Sequence, residues 1–251
     1  AYPPHLDSLH PDTTLQKRRN AEGWYQSPLQ PEVREHFTAV VKDILDQYKL
    51  DGIHFDYIRY PGHRFDFNPI ARQRFQELYF FDPLEFKKSP EEFIEQYGYT
   101  GYEIYFTRWA TFLRQELSSF VEKLTGFIHR SYPQITISAA VKADLGYAHW
   151  QYFQEWDTWL KNGWLDWAIP MNYTPDDDLF QSRMAKIAQN ADSGRILMGI
   201  SLFNQPVTGV LRKIRHVRRS SCKGFVLFSY DQFQQDYKLR RKYFEEIRHQ
   251  E

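Results

Sequence analysis

The chain has 251 residues, in which 32 Lys+Arg balance 32 Asp+Glu and 42% of residues are hydrophobic. This is the composition of a soluble globular protein, and the neutral balance without a basic run argues against nucleic-acid binding and polybasic membrane attachment as primary functions. The length fits one barrel-sized domain of roughly 250 residues or two small ones. Trp 7, Tyr 17 and Phe 20 make 18% of the chain aromatic; such rings serve as core, and they are also what sugar rings lie against. Cys222 stands alone, which excludes an intramolecular disulfide and a multi-cysteine zinc site. The longest apolar stretches are strand-length, far short of the ~20 residues of a membrane helix. The chain opens on Ala1 without a basic segment and apolar run, as a processed protein or an excised fragment does.

Residues 1–31 carry Pro3, Pro4, Pro11, Pro28 and Pro31 among polar residues and show no periodicity, so an extended surface segment is expected. Phe37, Val40, Val41, Ile44, Leu45 and Tyr48 then fall at helical spacing, with Pro31 placed for a first turn and Glu32 and Glu35 suited to its positive end. Asp51-Gly52 punctuates the exit, and Ile53 to Tyr60 reads as a strand stopped by Pro61-Gly62. Residues 61–103 look like a long insertion with short helices around Ile70 to Phe80 and Pro90 to Tyr97. Helix resumes from Phe106 to Ile128 and ends before Pro133. Four alternations follow: strand Ile135 to Ala143 and helix Trp150 to Leu160; strand Leu165 to Tyr173 and helix Leu179 to Ala188; strand Ile196 to Phe203 and helix Val207 to Val217; strand Gly224 to Tyr230 and helix Phe233 to Ile247.

Strands such as Ile196 to Phe203 are apolar on both faces, as in parallel sheets covered by helices. Alternating units of this kind mean an α/β fold, doubly wound or barrel. No strand is followed by a Gly-x-Gly-x-x-Gly or Gly-x4-Gly-Lys-Ser/Thr turn, so a nucleotide phosphate site lacks support. The barrel is preferred because polar residues gather at the C-terminal strand ends, where barrel active sites are built. His-Glu-x-x-His and Gly-x-Ser-x-Gly are also absent, and no cofactor or metal is expected.

In Gly52 to Tyr60, alternation puts His54, Asp56 and Ile58 on one face. Asp56 at a barrel mouth could attack or stabilise an oxocarbenium-like centre, with His54 or Arg59 keeping it ionised. The competing reading is a structural carboxylate bonded to Arg59 or loop amides. Thr136 to Asp144 aligns Ser138, Ala140, Lys142 and Asp144 on one side. Asp144 is the first choice for a second carboxylate, its alternative being an N-cap for the next helix. Asn172 and Tyr173 end the next strand and could position a sugar hydroxyl; Asp166 at that strand's start reads as structural. Asp176, Asp177 and Asp178 most simply cap a helix. Asn204 and Gln205 end the fourth visible strand, and Ser229, Tyr230 and Asp231 the fifth. Together they form a polar ring with aromatics, suited to a neutral polyhydroxylated ligand. The loop residues Trp24, Tyr25, Tyr97, Tyr99 and Tyr102 are candidate sugar platforms, whereas Trp150, Trp156, Trp159, Trp164 and Trp167 read as packing.

The segment Leu50-Asp-Gly-Ile-His-Phe-Asp-Tyr-Ile-Arg-Tyr-Pro61 resembles the bacterial glycosyl hydrolase-like family ten. So do Pro31-Glu-Val-Arg34, Arg108-Trp109, Trp159 to Tyr173 with its Leu-Asp-Trp and Pro-Met-Asn-Tyr pieces, and Lys223 to Ser229. The resemblance spans nearly everything but 61–103. It implies a TIM-type barrel linked to cell-wall glycan cleavage, in which Asp-Gly-Ile-His-Phe-Asp is the fourth strand and Asp56 carries the catalytic carboxylate role. The same segment is more distantly similar to chitinase-type barrels, but His54 replaces one of their Asp residues and Ile58 stands in place of the acid Glu, so their substrate-assisted mechanism does not transfer.

The resulting expectation is one incomplete (β/α) TIM-type barrel domain over residues 1–251, with strands four to eight visible and the first three supplied by a preceding or separate segment. It would act as a glycosidase on a β-linked amino-sugar polymer such as peptidoglycan glycan strands. Catalysis falls to Asp56 and Asp144, and substrate binding to His54, Arg59, Lys142, Asn172, Tyr173, Asn204, Tyr230 and Asp231. The resemblance implies a polysaccharide partner and a location in the cell envelope or outside the cell. A non-catalytic glycan-binding barrel is the alternative.

Overall fold

The computed structural model describes residues 25–62, 65–85, 89–232, 241 and 243–245. In chain order its elements are α1 (Pro31–Gln47), β1 (Gly52–Phe55), α2 (Pro69–Tyr79), α3 (Pro90–Ser131), β2 (Thr136–Lys142), α4 (Leu145–Gln151), α5 (Trp156–Lys161), β3 (Trp167–Met171), α6 (Asp177–Asn190), β4 (Leu197–Ser201), α7 (Val207–Arg218) and β5 (Gly224–Phe228). They fall into two units. A helical unit takes the described residues of Ala1–Leu50, Arg59–Pro133 and His149–Glu155, and a sheet unit those of Asp51–Ile58, Gln134–Ala148 and Trp156–Glu251. No described helix is long and apolar enough to cross a membrane. The expected extended segment 1–31, apart from residues 25–31, and the expected helix 233–247, apart from 241 and 243–245, lie outside the described residues.

The sheet unit is α/β. Its five strands are all parallel and follow chain order, β1-β2-β3-β4-β5. Ile137, Ala139 and Val141 of β2, Ala168 of β3, and Met198 and Ile200 of β4 are buried. Each larger apolar side chain contributes roughly 1.5–3 kcal/mol by leaving water. Helix α7 covers β4 and β5. Its buried Val210, Leu211, Ile214 and Val217 recur at the spacing of one helical face. Register is locked at the start of β3, where the Asp166 N–H donates to the Ile137 carbonyl (2.9 Å) and the Asp166 carboxylate accepts from the Ile137 N–H (2.7 Å). Between β3 and β4 the backbones approach closely: a Cβ on Gly199 would stand 2.7 Å from the Pro170 carbonyl oxygen, so only glycine fits.

Two expected elements differ. The strand expected to reach Tyr60 stops at Phe55, because Tyr57 takes a left-handed backbone (φ 57°) that breaks the alternation; Ile58 is buried while Asp56 is exposed. The single helix expected over Trp150 to Leu160 is two, α4 and α5, separated where buried Phe153 is also left-handed (φ 53°).

In the helical unit, Pro31 begins α1 and Asn68 caps α2, its side chain accepting from the Ala71 N–H at 3.0 Å. Residues expected as an insertion are largely helix. They supply α2 and the start of α3, whose direction changes at Gly98 (φ 73°), a conformation without strain only for glycine. Aromatic packing holds this unit together. Trp109 is fully buried, stacked on Phe67 (5.0 Å) and edge-on to Phe75 (5.1 Å), while Phe93 meets Phe81, Tyr97 and Tyr105. Glu116 of α3 joins α1 and α2 through Arg34 and Arg74, each at 2.9 Å.

Asp66 is fully buried with a left-handed backbone (φ 73°). Its Oδ1 accepts from Asn68 Nδ2 at 2.5 Å, and Asn68 in turn accepts from Gln30 Nε2 at 3.1 Å. Burial raises the Asp66 carboxyl to about 6, against hydrogen bonds from Ser27, Tyr60 and Asn68 that favour its charge; Glu116 adds to the rise. An unfolded Asp titrates near ~3.9, so as pH climbs from about 4 to about 6 the unfolded chain releases a proton that the folded chain keeps. Stability therefore falls across that window, by about 3 kcal/mol in full, and is level above it. In Asp66→Asn this fall is expected to disappear: the variant melts above wild type at pH 7.5, and the gap closes near pH 4. The same pH slope in both proteins, followed by calorimetry, would reject a buried ionisation at Asp66.

Candidate active site

Parallel strands bring their C-terminal ends to one edge of the sheet. Asp56 follows β1 directly. The left-handed turn at Tyr57 exposes it, and Asp56 Oδ1 accepts the Tyr57 N–H at 2.8 Å. Two residues earlier, His54 pairs in register with Ser138 of β2, and His54 Nδ1 lies 2.9 Å from Ser138 Oγ. Burial lowers the His54 imidazole below its ordinary value, while the Asp56 charge opposes this. His54 is consequently neutral at pH 7.

Tyr173 lies two residues beyond β3. Burial, with the Asp56 charge adding to it, pushes its phenol up to about 12, so it remains a protonated donor throughout the physiological range. Asp56 is thus the carboxylate whose field reaches both His54 and Tyr173. Asn204, after β4, ties this edge together: its Oδ1 accepts from Ser201 Oγ (2.5 Å) and its Nδ2 donates to the Tyr173 carbonyl (2.8 Å). Beneath it, buried Lys213 donates to the Thr174 carbonyl and to Gln205 Oε1 (2.6 Å), joining the loops after β3 and β4.

The other expected residues are held in several ways, some as helix caps. Asn172 is fully buried and donates to the Phe180 carbonyl (3.0 Å), so it anchors α6 and does not reach a ligand at the surface. Arg59, expected to tune Asp56, belongs to the helical unit, where it donates to the Tyr25 hydroxyl (3.0 Å) and lies over the Tyr25 and Tyr152 rings. Asp144 accepts the Tyr147 N–H through Oδ1 (2.9 Å), the geometry of a cap on α4. Half-buried Lys142 offers its backbone carbonyl to Trp156 Nε1 (3.0 Å). Tyr230 is exposed, and Asp231 accepts from Ser229 Oγ. Asp176 caps α6 through the Leu179 N–H (2.9 Å), and Asp177 pairs with His216 (3.0 Å).

Two residues at this edge were not singled out from the sequence: Phe203, after β4, and Phe228, the last residue of β5. Both are exposed, and both pack on Tyr173. They close apolar runs that look buried from end to end, so the available signal was position alone: the last ring before a polar loop. Of the expected loop platforms, Trp24 lies outside the described residues; Tyr97 and Tyr102 pack on Phe93, and Tyr25 on Arg59.

Among the described residues no group of three or more His, Cys, Asp or Glu is placed to hold a metal ion. The chemistry on offer is an exposed carboxylate, a neutral imidazole and a neutral phenol beside aromatic surface. Because the Asp56 charge raises both neighbours, Asp56→Asn is expected to lower the His54 midpoint further and to bring Tyr173 down from about 12. NMR titration of the two rings reads both shifts, and an unchanged His54 midpoint would show that the carboxylate does not act on it.

Residues 1–206 match the family described as glycosyl hydrolase-like 10. None of the curated proteins compared with the chain matches it. The matched span holds β1 to β4 with His54, Asp56, Asp144, Tyr173 and Asn204; β5, Tyr230 and Asp231 lie beyond it. With most of its length in that match, the chain belongs to the glycosyl hydrolase-like 10 family.

Proposed function

We propose that the chain is a glycosidase that cleaves a β-linked amino-sugar polymer of the bacterial cell-wall type, with Asp56 as the carboxylate that meets the anomeric carbon. The observation that carries this reading is the exposed Asp56 carboxylate at the end of β1, in electrostatic reach of a Tyr173 phenol that stays protonated. The transition state of glycoside cleavage is cationic at the anomeric carbon, where a carboxylate stabilises it by charge or by attack. The neutral Tyr173 donor suits a sugar hydroxyl, and the lowered His54 imidazole stays a neutral hydrogen-bonding neighbour of Asp56. Membership of a glycosyl hydrolase-like family supports the reaction class.

Asp144 is the proposed partner acid or base. Its Oδ1 serves the α4 cap, and Oδ2 takes no part in that bond. Separations of ~5–5.5 Å between two such carboxyls go with retention and ~6.5–9.5 Å with inversion. In this reading the five parallel strands are strands four to eight of a TIM-type barrel completed by another segment, and the protein works in the cell envelope or outside the cell. Glycan binding without cleavage is the second reading, favoured by the engagement of Asp144 as a cap.

Incubation with cell-wall glycan, intact and stripped of its peptides, with products identified by mass, tests the proposal. Wild type is expected to release glycan fragments, and Asp56→Asn to lower the rate by about a thousandfold or more without changing the melting temperature. Wild-type rates in Asp56→Asn would remove Asp56 from the chemistry. Binding without products in both proteins would favour the second reading.

A further inference from the structure

β1 and β2 run side by side with His54 opposite Ser138 in register. A hydroxyl has one proton to give, and Ser138 Oγ stands between two acceptors: His54 Nδ1 at 2.9 Å and the Ile53 carbonyl oxygen at 3.5 Å. The first is an ordinary hydrogen-bond length, and the second lies where such a bond has nearly faded. Two proton arrangements compete. If Nδ1 carried the ring proton and donated it to Oγ, the Ser138 proton would keep only the long contact to the carbonyl, a loss that counts on a half-buried side chain. If Ser138 donates to Nδ1, the short contact is a full O–H···N bond and the proton of the neutral ring sits on Nε2. Nε2 bonds to no described residue, and His54 is exposed, so water or a ligand satisfies it.

We infer that Ser138 is a positioning residue that holds His54 as its Nε2–H tautomer, so that the ring meets a ligand as a hydrogen-bond donor and not as a base. Burial supports this by keeping the imidazole neutral against the opposing charge of Asp56, which leaves Nδ1 free to accept. The same bond fixes the plane of the ring, because turning Nδ1 away would strand the half-buried hydroxyl. What His54 takes is then an oxygen lone pair of the sugar: a hydroxyl, a glycosidic oxygen or an acetamido carbonyl. Nothing in the sequence marks Ser138 for this task, since only the strand register brings it to His54. The inference rests on the glycosidase reading and deepens it, for it takes His54 out of the proton transfers and leaves them to carboxylates.

Long-range proton–nitrogen NMR correlations of the full chain at about pH 7.5, with the His54 signals identified by their loss in His54→Gln, test the assignment directly. A protonated Nε2 and an unprotonated Nδ1 are expected; a protonated Nδ1, or an even mixture of the two, overturns it. In Ser138→Ala the two tautomers should mix and the His54 midpoint should rise, because a bond to the neutral ring has been removed. Ser138→Thr keeps the hydroxyl and should restore both. A midpoint that falls in Ser138→Ala would make the hydroxyl an acceptor, and one unchanged tautomer there would remove Ser138 from the role. With cell-wall glycan stripped of its peptides, Ser138→Ala is expected to lower kcat/KM by about three- to tenfold. His54→Gln keeps an N–H donor without a base, so it should lose less than His54→Ala; equal losses would make His54 the base and overturn the donor role. Glycan left uncleaved by wild type defeats the glycosidase reading, while the nitrogen signals still decide the tautomer.

Discussion

Asp166 and Ile137 exchange two hydrogen bonds, one through the backbone and one through the Asp166 carboxylate, and the register they set carries the rest of the sheet unit. With Ile137 fixed, Ser138 stands opposite Trp167 on one side and His54 on the other, and Lys142 is level with Met171, which is level with Gly199. A slip of one residue would turn His54 and Ser138 to opposite faces and separate them. Because all five strands point the same way, this register also decides which residues follow the strand ends. Asp56, Tyr173, Asn204 and Phe228 share an edge for that reason, with Gly199 permitting the close approach of β3 and β4 beneath Tyr173.

The electrostatics of that edge are economical. One carboxylate faces groups that burial has kept neutral: an imidazole whose proton affinity is lowered and a phenol whose acidity is lowered. Neither neutralises Asp56 at pH 7, and each can still hydrogen-bond. In the proposed glycosidase reaction, such neutral neighbours leave the carboxylate its attraction for a developing positive centre. The basic residue expected there, Arg59, is engaged by Tyr25 and Tyr152 in the helical unit. Lys213, the buried lysine of α7, spends its donors on Thr174 and Gln205 and acts as a brace for the loops.

Much of this was legible in the sequence. The apolar runs of β2 to β5 and the helical spacing of α1 and of the second part of α3 gave the α/β alternation. Polar residues at the strand ends singled out His54, Asp56 and Tyr173, which the structure places in and after β1 and after β3. What escaped depends on tertiary context. Nothing local announces that Tyr57 and Phe153 adopt left-handed backbones, which shorten β1 and split α4 from α5. The helices in 61–103 were blurred because aromatics lie both in the core, as Phe75 and Phe93, and on the surface, as Phe80 and Tyr99, so no single face stands out. Asn172 looked like a ligand-binding amide, but its burial and its bond to Phe180 are set by where α6 packs. Phe203 and Phe228 look identical to core residues until the end of each strand is known.

The pairing of β1 with β2 has a kinetic side. His54 and Ser138 are 84 residues apart, whereas the Ile137–Asp166 link between β2 and β3 spans 29 and the Tyr173–Asn204 link between the β3 and β4 ends spans 31. Closing the longer loop costs about 1 kcal/mol more chain entropy, and long-range contacts slow folding. Strands β2 to β5 can therefore zip through short closures, each handing the next its register, before β1 arrives. A chain caught at that stage holds the aromatic corner and the Tyr173 phenol but lacks His54 and Asp56. In that order of assembly, the strand that brings Asp56 is the last of the five to dock.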